Sequence, residues 1–310
     1  MARFSIGTAI GEGFGLVGRR PFSVFVWGLL MAAPSVASIA LLLPMMGGMI
    51  ASMASGATDP EQVHNAMMAD MAQVESMASL LNLVQLVVMV IVYTAIMRAV
   101  VRPRETAFFS LRLGMDELRV AVVGLALTVG ICLGALVLVL LGVGIGFATW
   151  GLGEPYNWLI IVALCFGFVL AIWLGAARVS LIAPASVLHR TFAFEQGWRL
   201  GRGRAGALFG MMLLIILIVL VAQAMVVGIG SAVFMVAAGG MDWSRILAAI
   251  EENPIAALTA LFNANWPWIT LAGLVASVLH GVILTLSIAP FASVCRQLSA
   301  GVAPAAEDGH

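Results

Sequence analysis

The residues Gly201-Arg-Gly-Arg-Ala-Gly206 spell G-x-G-x-x-G, a spacing that lets a backbone turn cradle the pyrophosphate of a dinucleotide. That chemistry needs a buried strand before the glycines, a soluble helix after them and an acid about 20 residues further on. Here an amphipathic segment precedes the match, a long apolar run follows it, and residues 211–241 hold no acid. No nucleotide is therefore expected at this loop, and its arginines need another explanation.

Three other sets of residues are chemically suggestive. His64, Met67, Met68 and Met71 stand at i, i+3, i+4 and i+7 of a helical pattern, and thioether with imidazole suits Cu(I). Met is equally an ordinary apolar residue at interfaces, so the first expectation is no metal and no cofactor, with copper as the alternative. His280 falls in the middle of an apolar run; intramembrane ionisable groups often mark pathways, but no Asp, Glu or Lys lies at comparable depth to relay a proton with it. Arg19, Arg20, Arg119, Arg199, Arg202 and Arg204 flank apolar runs. Beside anionic lipid headgroups each would contribute about 1 kcal/mol; otherwise they set topology alone. Cys132, Cys165 and Cys295 lie in apolar runs without ligand or disulfide spacing. No nucleophile–His–acid set, metalloprotease motif or paired carboxylates appear, so no enzyme activity is expected, and no nucleic-acid partner.

The composition explains what must position these residues. The 310 residues are 62% hydrophobic and 10% charged, against roughly 25% charged in soluble domains. Such a chain is expected to be an all-α integral membrane protein, because about 20 helical residues cross a hydrocarbon core of roughly 30 Å and no barrel-like alternation appears. Six transmembrane helices are predicted at about 22–46, 80–101, 119–146, 157–183, 206–237 and 268–292. This division places 14 of the 15 Arg on one side, Arg245 being the exception. The positive-inside rule names that side cytoplasmic, with both termini there. Trp150, Tyr156, Trp158, Trp243, Trp266 and Trp268 fall at the opposite boundaries, as an aromatic belt requires. The N-terminal segment is too long and mixed for a signal peptide's charged leader, so the first span is expected to be retained.

The chain also repeats itself. Gly13-Phe-Gly-Leu-Val-Gly-Arg-Arg20 before the first span aligns without gaps with Gly197-Trp-Arg-Leu-Gly-Arg-Gly-Arg204 before the fifth, sharing Gly13/Gly197, Leu16/Leu200 and Arg20/Arg204. Leu111–Arg119 holds the same place before the third span. Ile182-Ala-Pro184 and Ile288-Ala-Pro290 close the fourth and sixth, each followed six residues later by Arg190 or Arg296. These matches predict one polytopic domain over 1–310, with three tandem pseudo-repeats at about 1–103, 104–190 and 191–300 and a tail at 301–310. Each repeat would be an interfacial amphipathic helix, an inward-starting span, an outer loop and a returning span. Two outer-loop helices are expected on the interface, one opening at Asp59-Pro60 and one carrying Trp243, Ile246, Leu247 and Ile250 before Asn253-Pro254. Gly130/Gly134 and Gly206/Gly210 have the spacing that lets helices approach closely, with packing inside the chain as the first expectation and self-association as the second.

The run of an Ile-Ala-Pro-ended span, an aromatic-rich segment, "GWRLGRGR" and a further span resembles a bacterial family. It is similar to the membrane domain found beside glycerophosphoryl diester phosphodiesterases, and to the small inner-membrane proteins of the YciC type. Trp198, Leu200, Arg202 and Gly203 match that pattern, while Gly197 replaces its Ser; the likeness is concentrated in 178–220. It implies a polytopic helical domain with lipid or envelope functions and carries over no catalytic residue. The expected function is a non-enzymatic bacterial inner-membrane protein that packs with lipid, itself or a membrane-protein partner, with anionic headgroups on the cytoplasmic side. The alternative is a transporter of a small solute or lipid with a cavity near His280.

Overall fold

In hydrocarbon every backbone N–H and C=O must find its partner within the chain, and a helix does this segment by segment. The computed structural model describes residues 4–54, 60–104, 108–111, 114–239, 243–252 and 254–300, and among these it contains helices and no strand. In chain order the helices are α1 (Ile6–Arg19), α2 (Pro21–Ala54), α3 (Pro60–Val101), α4 (Met115–Thr149), α5 (Tyr156–Val179), α6 (Ile182–His189), α7 (Phe194–Gly201), α8 (Ala205–Gly239), α9 (Trp243–Glu252) and α10 (Pro254–Ala300), with 3₁₀ turns at Phe108–Ser110 and Trp150–Leu152. Among the described residues six stretches are long and apolar enough to cross a membrane: Pro21–Ser38, Glu75–Val101, Met115–Thr149, Tyr156–His189, Ala205–Gly228 and Asn263–Ala300. The protein is thus all-α, with six membrane-like helices, as its composition requires.

Several expectations need correction. The helix opening at Pro60 is not a separate interfacial piece; α3 runs unbroken for 42 residues, about twice what a hydrocarbon core requires. No Gly or Pro follows Pro60 before Pro103, so nothing in the chain interrupts the hydrogen-bond ladder. Asp59, its expected cap, lies outside the described residues. The second outer helix is separate: α9 ends at Glu252, and α10 opens at Pro254. Ile182-Ala-Pro184 does not end its span; a turn at Ser180–Leu181 closes α5, and these residues open α6. Ile288-Ala-Pro290, by contrast, stays inside α10. Before α4 the described residues form a 3₁₀ turn at Phe108–Ser110 rather than an amphipathic helix, and residues 105–107 and 112–113 lie outside the described residues.

Two compact units form. The first gathers α1, α3 from Tyr93, α4 to α7, α8 as far as Val219 and α10 from Thr285. Its core joins Leu181 and Ala185 with Leu208 and Met211 of α8 and Val294 and Leu298 of α10. The second gathers α2, α3 as far as Val92, α8 from Leu220, α9 and α10 as far as Leu284. There Val24, Trp27 and Ser277 are buried, and α2 meets α10 at Gly28 and Gly281. A Cβ on Gly28 would fall inside the van der Waals shell of the Ser277 carbonyl oxygen and 2.7 Å from Gly281 N, and one on Gly281 would strike the Val24 carbonyl oxygen. Small residues take this role because lipid tails are as apolar as the helices, leaving close van der Waals approach and Cα–H···O contact to hold the crossing.

The expected intramolecular packing through Gly130, Gly134, Gly206 and Gly210 is not found: a Cβ on any of the four would meet nothing within 4 Å. Those glycines lie on surfaces that the chain itself leaves open. In the stretches Met115–Thr149 and Tyr156–His189 the membrane-like windows are only 6% and 0% buried, so most side chains in those windows are left open by the chain itself.

Candidate functional site

The first unit concentrates its polar chemistry at the C-terminal end of α3 and the N-terminal end of α4. Arg98, on the last turn of α3, is 3% exposed. Its Nη1 donates to the Ser110 carbonyl at 3.0 Å and its Nη2 to Glu117 Oε1 at 2.6 Å. Glu117 Oε2 accepts the Gly114 N–H at 3.0 Å, so one carboxylate caps α4 and neutralises a buried guanidinium. Asp116 accepts from Arg102 and, at 2.8 Å, from Arg119 Nη1. Phe109 and Ser110 hold φ of 53° and 56°, a region costing side-chain-bearing residues about 1–3 kcal/mol each unless the surroundings enforce it; the Arg98 bond to the Ser110 carbonyl is one such constraint.

A second set ties α1 to the end of α10. Arg296 Nη1 donates to the Val100 carbonyl at 2.7 Å, and its Nη2 lies 3.4 Å from Glu12 Oε2. Glu12 Oε1 accepts from Arg19 Nη2 at 2.6 Å, and Gln297 Oε1 accepts the Ser5 N–H at 3.2 Å. Three carboxylates, Glu12, Asp116 and Glu117, are therefore engaged by five guanidiniums. Acids surrounded by cationic donors in this way hold helix ends together.

Beside this cluster, α6 and α7 form a wedge. Ser186 Oγ donates to the Ile182 carbonyl at 2.9 Å and accepts the Ala193 N–H at 3.1 Å, fixing the turn between the two helices. Gly197 and Gly201 of α7 face inward. A Cβ on Gly197 would sit 2.5 Å from Ile182 Cα, and one on Gly201 2.5 Å from the Arg178 carbonyl oxygen. The other face of α7 carries Phe194, Glu195, Trp198 and Arg199, all exposed. The Arg178 guanidinium stacks over Trp198, 4.2 Å from the ring centroid. An open groove of about 510 Å³ runs between α4 and this wedge, lined by Ala126, Leu127, Val179, Ile182, Phe194 and Trp198, with Glu195 as its acid.

These positions sort the sequence candidates. Arg199 is 76% exposed and only 3.8 Å from Glu195, and Arg202 is exposed. Arg19 is exposed but bonded to Glu12, Arg204 Nη1 donates to the Leu200 carbonyl, and Arg119 is drawn into the Asp116 pair. Arg20 is half-buried. The geometry thus brings Arg199 and Arg202 together on one helix end and leaves Arg119 in a different cluster. His280 lies exposed on α10 and does not line the groove. Met68 is exposed on α3, while the side chains of His64, Met67 and Met71 lie outside the described residues; among the described residues no group of three His, Cys, Asp or Glu could hold a metal. In G-x-G-x-x-G, Gly201 closes α7, Gly203 takes a φ of 75° and Gly206 lies in α8, so the motif is a helix-to-helix joint. The buried Arg98–Glu117 pair and the Arg178–Trp198 stack are not singled out by sequence spacing; the acid pair Asp116-Glu117 in an Arg-rich segment is the one signal of the former.

No protein-family model, curated protein or solved structure matches this chain.

Gly197→Ala is expected to destabilise the protein by about 1–3 kcal/mol, because the added methyl meets helix backbone. Gly206→Ala meets nothing within 4 Å and is expected to leave thermal unfolding in detergent unchanged or slightly raised. Equal midpoints for the two variants would contradict the α6–α7 packing.

Proposed function

We propose that this chain is a non-enzymatic, multi-pass protein of the bacterial inner membrane that serves a lipid- or envelope-associated role by packing with lipid, with itself or with a membrane partner. Its termini and arginine-rich helix ends face the cytoplasm, where they meet anionic headgroups. The observation that carries this reading is α7: a short helix between two membrane-like spans, buried through Gly197 and Gly201 and exposing Phe194 and Trp198 beside Arg199 and Arg202. Aromatic rings and guanidiniums on one amphipathic helix suit the boundary between acyl chains and phosphates. The likeness of Trp198, Leu200, Arg202 and Gly203 to the phosphodiesterase-associated and YciC-type pattern points the same way.

Three tandem units belong to the same reading. Gly13 of α1 lies against Leu286 and Ala289, beside Ile288-Ala-Pro290, as Gly197 of α7 lies against Ile182 of Ile182-Ala-Pro184. Matching glycines in aligned segments thus press on matching Pro-containing segments, which supports a repeat with similar helix-end packing. Transport through a cavity at His280 has less support, since that side chain lies on the outside of α10.

Native mass spectrometry after gentle extraction from a membrane containing phosphatidylglycerol tests the proposal. Retained anionic lipid or a stable oligomer is expected; a bare monomer under conditions that preserve the fold would contradict it.

A further inference from the structure

We infer that the groove between α4 and the α6–α7 wedge is a binding site for a single anionic phospholipid, its phosphate held by Arg178 and Arg202 and one acyl chain lying along Ala126, Leu127 and Ile182. The inference rests on the lipid reading above and gives it a place. The Arg178 side chain makes no hydrogen bond or ion pair among the described residues: its Nε is buried without a partner, and its guanidinium stacks on the Trp198 ring. Stacking uses the face of the guanidinium and leaves its Nη N–H groups for a phosphate, which Arg can hold in bidentate fashion. Arg202 is exposed and follows Gly201, whose backbone lies against the Arg178 carbonyl oxygen. Arg178 and Arg202, neither with a carboxylate partner among the described residues, thus come from backbone segments that meet at the joint of α7 and α8. The acid lining the groove, Glu195, faces Arg199 at 3.8 Å, so its charge is offset.

Ala126, Leu127 and Ile182 line the same groove as Trp198 of α7. A lipid whose phosphate sits at the α7–α8 joint would lay the start of one chain past Trp198, between α4 and Ile182. The lining is apolar apart from Glu195, which suits a hydrocarbon chain and would leave a free phosphate with no second set of donors.

Stepwise lipid binding by native mass spectrometry, with protein from nanodiscs of equal parts phosphatidylglycerol and phosphatidylcholine, tests the site. The double variant R178Q/R202Q is expected to weaken the first bound phosphatidylglycerol by roughly thirty-fold, two phosphate contacts at about five-fold each. Ala126→Trp, which fills the groove from an exposed position, is expected to do the same with both arginines intact, and Arg245→Gln is expected to change nothing. Matching thermal midpoints confirm that the variants fold, and Arg202→Gln alone, at a surface position, supplies the readout if the double variant does not. Wild-type affinity in R178Q/R202Q would overturn the site while leaving the broader lipid reading standing. Unaltered binding in Ala126→Trp, or displacement of the lipid by millimolar inorganic phosphate, would overturn the acyl-chain assignment. Loss of all lipid from the wild type would instead defeat the broader reading.

Discussion

Gly28→Ala is expected to cost more folded protein than any other single methyl added to this chain. The new Cβ would overlap the Ser277 carbonyl oxygen and lie 2.7 Å from Gly281 N, both backbone atoms of α10. A side chain can rotate out of the way; a helix backbone can only move as a whole. Overpacking typically costs about 1–3 kcal/mol, and this overlap, deeper than the one at Gly197, is expected to exceed about 3 kcal/mol. Gly281→Ala meets the Val24 carbonyl oxygen and should behave alike, whereas Gly124→Ala and Gly273→Ala, with nothing within 4 Å, should be silent. Size-exclusion profiles and thermal midpoints in detergent read the difference. Normal folding of both Gly28→Ala and Gly281→Ala would mean that α2 and α10 do not cross there.

The second large effect lies at Arg98. Glu117→Ala removes the carboxylate 2.6 Å from a guanidinium that is 3% exposed and also releases the Gly114 N–H. Stranding a buried charge costs about 3–5 kcal/mol. The turn holding Phe109 and Ser110 at positive φ is expected to loosen with it, because the anchor of the Ser110 carbonyl is then free to seek other partners. The double variant R98M/E117L, which removes both charges and keeps their volume, is expected to regain most of the loss. Asp116→Asn should cost less, since its partners Arg102 and Arg119 have 13% and 18% of their side chains exposed and can turn to water or phosphate. Equal destabilisation by Glu117→Ala and R98M/E117L would show that the ion pair is not what holds these ends.

The fold class was legible because it follows from quantities that add along the chain. Few charges and six long apolar runs leave no soluble alternative, and helix ends at Pro21, Pro60 and Pro254 are local backbone chemistry. Pairwise features were harder to read. With 33 glycines in the chain, Gly130/Gly134 and Gly206/Gly210 carry the closest-looking spacing, yet Gly28 and Gly281 make the crossing, because register against a partner helix decides which glycine is needed. Pro184 resembles a terminator, but proline is also tolerated in the first turn of a helix, and that is where α6 places it. The continuity of α3 was legible in principle from its lack of Gly or Pro; the helix-start signal at Asp59-Pro60 suggests a separate interfacial segment instead. At the candidate site the exposed pair Arg199 and Arg202 could be read from their place between two spans. In the sequence Arg98 is one of the topological charges and Arg119 one of the headgroup candidates, and only the turn at Phe109–Ser110 and the cap at Gly114 bring Asp116 and Glu117 to them. Arg178 counted as one more charge at a span end; its stack on Trp198 depends on the bend at Ser180–Leu181.

The claim on which everything else depends is that six helices cross a bilayer with the arginine-rich joints on one side. Single cysteines in a background with Cys132, Cys165 and Cys295 replaced by Ala, probed with an impermeant thiol reagent in sealed vesicles of known orientation, measure this directly. Ser5→Cys and Thr191→Cys are expected to react only from the cytoplasmic side, and Gly151→Cys and Ser244→Cys only from the opposite side. Reaction of all four from the same side would contradict the six-span arrangement and the lipid-contact reading built on it.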